Sequence, residues 1–319
     1  MAIAEQHNQF TLEQYGSRKG LTAIEHGLNK RLTFDIIRQL RRPAALCSNN
    51  AKSCYDHIVH SVATLAMHRL GVPEAPIVSM FRTIQDMKHH DRTIYGDSEQ
   101  WIGGPGWTTP VHGVGQGNGT GPAIWAAVST PVLNLMRSEG FGTHFRSALS
   151  DEDICFVGYA FVDDTDLCET ARGDDSSAAD VATRAQAALD CWEGGIRATG
   201  GAIVPSKSHW YLINFTWKDG VWKYAPMTST LAELRVRDAN GNVQTVERLP
   251  VTAAHRTLGV QLAPDGNNKA EFEYLHEQSH NWQDQVHAGH LPRHLAWQAL
   301  TLSLMPKLKY SLPATTLSR

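Results

Sequence analysis

Residues 158–170 read GYAFVDDTDLCET, and Asp163 and Asp164 stand side by side after an apolar run. Adjacent carboxylates repel each other, and a hard divalent cation such as Mg²⁺ beside them is the usual neutraliser. The plain alternative is a surface turn, where Asp is common. Here FVGYAFV before the pair is buried-strand material and a second strand resumes at once, so the turn is pinned against a core. Three other stretches carry residue types able to do chemistry. NNAKSCYDHI holds Asn50, Ala51, Tyr55 and Asp56; GQGNGTGPAIW holds Gln116 and Gly117; GGAIVPSKSHWYL holds Lys207. His89, His90 and Asp91 are metal-ligating types in a row, but with 16 histidines in the chain such a cluster is unsurprising.

The elements that must position these residues follow from periodicity and punctuation. In NKRLTFDIIRQLRR, Leu32, Ile36, Ile37 and Leu40 recur at near-helical spacing, which predicts a helix ending before Pro43 whose basic face is solvated. The small apolar run AALCS then predicts a buried strand arriving at Asn49 and Asn50. Ile58, Val62, Leu65, Ala66 and Leu70 predict one face of a helix stopped at Gly71, and Ile77, Met80, Phe81, Ile84 and Met87 a second helix. Gly, Pro and Thr dominate 103–121, a long loop, and a helix runs from Thr120 with Ile124, Val128, Val132, Leu133 and Met136 inward. The aspartates join two strands, and an alanine-rich helix follows, stopped by Gly200 and Gly201. From residue 209 strands prevail, with hairpin signals at Asp219-Gly220 and Asn240-Gly241, and the chain turns helical again beyond Pro264.

With 319 residues, 42% hydrophobic and 19% charged, the chain has the composition of a globular protein of two or three packed subdomains. Five widely spaced cysteines with no Cys-x-x-Cys pair argue against a disulfide framework or a structural zinc site. A net charge of −3 excludes a surface coated in positive charge, so any nucleic-acid contact is a local basic face. Neither a membrane span nor a signal peptide is visible, and a soluble, intracellular protein is expected, in nucleus or cytoplasm.

Taken in order, these segments resemble the palm of a reverse transcriptase, an RNA-directed DNA polymerase, of the non-LTR retrotransposon type, over roughly residues 15–315. Tyr55 and Asp56 match the end of the first catalytic motif, and Gln116 and Gly117 the glycine loop that opens a helix. Phe161, Val162, Asp163 and Asp164 match the aromatic-x-Asp-Asp hairpin. Lys207 matches the lysine after a glycine turn, and Leu258 and Gly259 in RTLGVQL match the primer grip. The resemblance implies a right-hand polymerase of α+β class, with an antiparallel palm sheet packed on helices. Fingers would span 1–45 and 73–110, palm 46–72 and 111–265, and a helical thumb 266–319. It implies nucleotidyltransferase chemistry with two Mg²⁺ ions, or Mn²⁺ in their place, about 3.5–4 Å apart. Partners would be an RNA template, a DNA or RNA primer and a dNTP, with no membrane, inside a larger retroelement polyprotein. Asp163 would be the principal metal ligand and Asp164 a secondary one. Tyr55 would be a wall against a 2′-hydroxyl, with Ala51, Gln116 and Gly117 beside the nucleotide. Arg18 and Lys19 would clamp the triphosphate, and Lys207 would protonate the leaving pyrophosphate. For Tyr55, a core aromatic is the alternative; for Lys207, Arg18 and Lys19, a solvated surface.

One position departs from the pattern. The family requires Asp six residues before Asp56, and this chain has Asn50 there. An amide oxygen can touch a metal at that catalytic position but carries no charge, and losing an anionic anchor costs orders of magnitude in rate. Asp35 and Asp56 are poor substitutes, since neither lies at the strand end. The sequence therefore predicts a polymerase fold with poor or absent activity. The second expectation is a degenerate descendant that binds RNA or a protein partner. An RNA-templated RNA polymerase is disfavoured by Val162, where such enzymes usually carry Gly.

Overall fold

The computed structural model describes residues 2–316 except Ser53, Trp107, Pro110, Gln116, Ala148, Asp151 and Asp174. It is a mixed α+β structure built on one six-stranded sheet. The predicted buried strand is Ala44–Asn50, at the centre of that sheet. Its first residues are apolar without alternation because both faces are covered. Ala45 and Cys47 belong to one core, Ala44 and Leu46 to the other.

Across the sheet the strands run Leu234–Arg237, Val243–Arg248, His209–Ile213, Ala44–Asn50, Asp164–Thr170 and Gly158–Phe161. All neighbours are antiparallel except His209–Ile213 with Val243–Arg248, which is parallel. The expected antiparallel sheet is thus corrected at one pair. The chain leaves Ile213, makes a separate hairpin (Phe215–Lys218 with Val221–Tyr224), forms the edge strand Leu234–Arg237 and returns in the same direction.

Two helices cover one face. Gly121–Ser138 begins where the sequence predicts and buries Ile124, Val128, Val132, Leu133 and Met136. Ala178–Ala198 starts at a capping box in which Ser177 and Asp180 bond reciprocally, and its alanines let it lie close on the sheet. Trp125, Trp192 and Trp210 are fully buried here. The helix Ala23–Leu40 covers the other face from a Thr22–Glu25 capping box, and Arg41, with φ 56°, ends it before Pro43. Its inward stripe differs from the expected one. Phe34 and Ile37 face the core with His26 and Lys30, whereas Leu32 and Leu40 are exposed. The basic face is therefore not simply solvated: Lys30 is 2% exposed.

Around this centre, His60–Arg69 turns Ala63 and Ala66 inward and leaves Leu65 exposed, against expectation, while Glu74–Asp86 buries Ile77, Phe81 and Ile84. On Lys269–Ala288, Leu275 is buried and Phe272 is exposed. Residues 88–103 form pairs of two-residue strands that periodicity does not reveal. Near the N-terminus, Tyr15 donates its backbone N–H to the Ala160 carbonyl and Ala160 donates to Glu13, which covers the edge strand Gly158–Phe161. No helix among the described residues is long and apolar enough to cross a membrane.

At Gly158 the two strands that flank the aspartate turn leave no room for a side chain. A Cβ added there would lie 1.9 Å from the Asp166 carbonyl oxygen, with no flexible side chain to give way. Gly158→Ala is expected to lower unfolding free energy by about 3 kcal/mol, measured by chemical denaturation. Gly173→Ala, where the added atom meets nothing within 4 Å, is the control and should leave it unchanged.

Candidate functional site

The hairpin predicted around the aspartates forms with Phe161 opposite Asp164, so Val162 and Asp163 make the turn. Val162 sits at φ 59°, a region that a β-branched residue enters at a cost of about 1–3 kcal/mol. Two buried side chains hold it there. The Gln14 amide oxygen accepts from the Val162 N–H (3.1 Å), and the Trp125 indole N–H donates to the Val162 carbonyl. Ala51, 2% exposed, donates its own N–H to the Asp163 carbonyl at 3.1 Å. Its role is to fasten the turn to the central strand.

Sheet register places Asn50 directly across from Asp164. The Asn50 amide Nδ2 lies 3.1 Å from Asp163 Oδ2 and 3.2 Å from Asp164 Oδ1, so one neutral NH₂ group donates to both carboxylates. Burial and the neighbouring Asp163 charge push the Asp164 carboxyl up, against the Asn50 hydrogen bond.

Two residues along the same strand, Asp166 is buried (4% exposed). One of its oxygens lies 2.9 Å from His26 Nε2 and the other 2.9 Å from Lys30 Nζ, while the Ser48 hydroxyl donates to it. Lys30 also donates to Thr257 Oγ1 at 2.9 Å. Burial alone would raise the Asp166 carboxyl, but the Lys30 charge, His26 and Ser48 outweigh it and hold it far below the usual carboxylate range. Sequence reasoning missed this network. Its signal was an Asp spaced by two from Asp164 inside a buried strand, together with His26 and Lys30 one helical turn apart.

Above the network is a cavity of about 60 Å³ whose lining includes Asn50, Asp164, Lys207, His209, His255 and Leu258. The fold thus brings four sequence-predicted residues to one place, Asn50 and Asp164 with Lys207 and Leu258; Asp163 is outside this lining and is joined to it by the Asn50 amide. Leu258 occupies a two-residue turn between His255–Thr257 and Val260–Leu262, at φ 46°, and its carbonyl accepts from the Tyr310 hydroxyl (2.8 Å).

Other predicted residues lie apart from this lining. Tyr55 is half-buried against the start of the Gly121–Ser138 helix, and burial pushes its phenol up to about 12. Gly117 is exposed in the loop before that helix, and Gln116 lies outside the described residues. The Arg18 guanidinium is engaged by both Glu5 carboxylate oxygens (2.8 and 2.9 Å) and by the Thr11 carbonyl at 2.6 Å, while Lys19 is exposed. Asp35 pairs with Arg31 and Arg38 on its own helix, and Asp56 is exposed, so neither supplies the missing charge at Asn50.

The donor set does not fit a pair of divalent cations. Among the described residues no group of three or more His, Cys, Asp or Glu is arranged to hold a metal, the His89–Asp91 cluster included. At the aspartates, two carboxylate oxygens already accept from the Asn50 amide, which leaves two anionic anchors where a third would be needed.

No protein-family model matches the sequence, and among curated proteins none matches it. Solved structures with some likeness include telomerases. That of Candida albicans, in complex with the TWJ fragment of telomeric RNA, shares 11% identity at a TM-score of 0.43 and covers 76% of this chain and 37% of its own. That of Candida tropicalis with the TWJ fragment shares 10% at 0.42, covering 69% and 35%. The apo Candida tropicalis telomerase truncated from its C-terminal domain shares 11% at 0.35, covering 73% and 41%. This chain therefore spans well under half the length of each. The TM-scores lie below the level at which a shared fold follows, and the site is read from its own geometry.

His209 gives the cavity a pH-dependent cost. It is 4% exposed with Nε2 unpartnered, and burial first, then the Lys30 charge and His255, lowers its ring to about 3. The unfolded chain, with an ordinary histidine near 6.5, takes up the proton first as pH falls. Stability is therefore lost between about pH 6.5 and 3. Comparing wild type with His209→Gln by denaturant titration, the difference in unfolding free energy should shrink by about 1 kcal/mol per pH unit from 6.5 to 4.5. A constant difference would mean that His209 takes up its proton as readily in the folded protein as in the unfolded chain.

Proposed function

We propose that the chain is a reverse-transcriptase-like domain that binds nucleic acid and whose template-directed nucleotidyl transfer is blocked at Asn50. The observation that carries the reading is the Asn50 amide shared between Asp163 and Asp164. Three segments far apart in sequence support it by meeting at one cavity in the order the motifs require: the end of the central strand, Lys207 after its glycine turn, and Leu258 in the Leu-Gly turn. In this reading the palm is the sheet with the Gly121–Ser138 and Ala178–Ala198 helices, and the partners are an RNA template and a DNA or RNA primer. Lys207 stands beside the position of a phosphate. Tyr55 and Gly117 flank a nucleotide from the adjoining loop. A competent centre of this kind needs Mg²⁺ or Mn²⁺, and the neutral amide removes the charge that would draw the ions in.

Position 50 tests the proposal directly. Asn50→Asp brings three carboxylates together, so without metal the variant should be less stable by about 1–3 kcal/mol. Millimolar Mg²⁺ should restore its melting temperature while leaving wild type unmoved. Primer extension on an RNA template should rise at least ~100-fold in the variant over wild type. Extension by the unchanged protein at ordinary polymerase rates overturns the proposal, and so does an Asn50→Asp variant whose melting temperature ignores Mg²⁺.

A further inference from the structure

One motif on the Lys269–Ala288 helix has no part in the cavity. Residues 276–280 read HEQSH, the pattern His-Glu-x-x-His, which on a helix puts two imidazoles four residues apart on one face. The helix turns Glu271 and Leu275 into the protein, and His276, Glu277 and His280 lie exposed on the other side. There the two imidazoles converge. His276 Nε2 and His280 Nε2 are 3.1 Å apart, with the ring centroids 4.3 Å from each other. Phe272, one turn earlier and 56% exposed, stacks on the His276 ring at 5.9 Å and 25°, which gives that solvent-facing ring a backing.

Two neutral imidazoles can meet as a plain hydrogen bond, one ring donating to the other. Spacing and charge favour a shared cation. Two nitrogens that each bind one tetrahedral Zn²⁺ at its usual distance lie about 3.3 Å apart, so this pair needs to open by only ~0.2 Å to take the ion. Glu273, Glu277 and Asp284 lie on the same face of the helix within a turn of the histidines, and the one lysine or arginine of the helix, Lys269, is drawn to Glu273 at 3.9 Å. The face is therefore anionic around the ring nitrogens. Among the described residues no third His, Cys, Asp or Glu completes a metal-holding group here, so water fills the remaining positions. In metalloproteases that carry this pattern a further protein ligand closes the site, and the Glu of the motif acts on a metal-bound water. With two protein ligands on an open face, the arrangement here binds a metal without the enclosed pocket that hydrolysis needs.

We propose that His276 and His280 form a binding site for a divalent first-row transition metal of the Zn²⁺ type. Imidazole suits Zn²⁺, Cu²⁺ and Ni²⁺, whereas Mg²⁺ takes oxygen ligands, so the site differs in chemistry from the aspartates. Bridging successive turns, the ion clips the helix on its solvent side. The proposal does not depend on the reading of Asn50.

Isothermal titration calorimetry of the whole chain with zinc chloride tests it. The tightest class of site should take one ion per chain with a Kd on the order of 1–100 µM, weaker than a structural zinc because water supplies the other ligands. His276→Gln or His280→Gln keeps a hydrogen-bonding amide in place of the ring but loses the zinc ligand, and each should weaken binding at least ~10-fold. His89→Gln/His90→Gln should leave the affinity unchanged, and Mg²⁺ should not compete. Zn²⁺ should raise the melting temperature of wild type and not that of His276→Gln/His280→Gln, with circular dichroism reporting that both are folded. A folded double variant whose Zn²⁺ affinity stays within about twofold of wild type overturns the proposal, and so does wild-type binding weaker than about 1 mM. One ion per two chains, with a dimer in sedimentation, also overturns it, since the ligands would then belong to a contact between copies.

Discussion

A buried carboxylate fixes the relative positions of the parts that matter. Asp166 is held by His26 and Lys30 from the helix on one face of the sheet, by Ser48 from the central strand and, through Lys30, by Thr257 from the turn that carries Leu258. Four segments far apart in sequence meet at one ion pair. Burying two charges recovers little net stability, because desolvation consumes most of the attraction, yet removing one partner strands the other at a cost of about 3–5 kcal/mol. The pair therefore acts on register more than on stability. Any slip of strand or helix that separates Lys30 from Asp166 leaves an uncompensated charge in the core.

That register is what sets Asn50 opposite Asp164. Residues alternate between faces along the strand, so Asp164 and Asp166 share a side. One is at the open end and accepts from a neutral amide; the other is inside and needs a full cation. Each acidic group is matched by a donor suited to its depth. His209 is the exception, a buried ring with an unpartnered nitrogen kept neutral by its surroundings.

Much of this was legible in the sequence. The central strand announced itself as an uninterrupted apolar run, because both of its faces are buried. The aspartate hairpin was legible from apolar residues on either side of the charge pair, the helix at Gly121 from the spacing of its apolar residues, and the helix at Ala178 from its alanines and the Gly200-Gly201 stop. What was hidden depended on partners distant in sequence. Lys30 looks like any lysine on a basic helix until Asp166, 136 residues away, is brought beneath it. Leu65 was expected inside because a helix with apolar residues on two flanks does not declare which one meets the neighbour; the smaller Ala63 and Ala66 do. Two-residue strands at 88–103 are too short to alternate. The parallel pair at Val243–Arg248 follows from the path of the intervening hairpin, which local pattern does not encode. Residues 13–15 pair with the Gly158–Phe161 edge through backbone bonds, with the Glu13 and Gln14 side chains accepting from the flanking Val157 and Val162 N–H groups, a contact too short to show as a periodic pattern in the sequence.

The Asn50 amide has a further consequence for how the aspartate turn survives. A strained residue at its tip and two adjacent carboxylates would each favour opening the hairpin. Gln14, Trp125 and Ala51 fasten its backbone, and these bonds are indifferent to charge. The side chains are where charge matters, and there one amide supplies a hydrogen to each carboxylate without adding a third negative group. A carboxylate at position 50 would make the same backbone depend on a bound cation for its stability. With asparagine the shape of the hairpin persists on its own, and the electrostatic demand for an ion is removed by the residue that keeps the geometry in place.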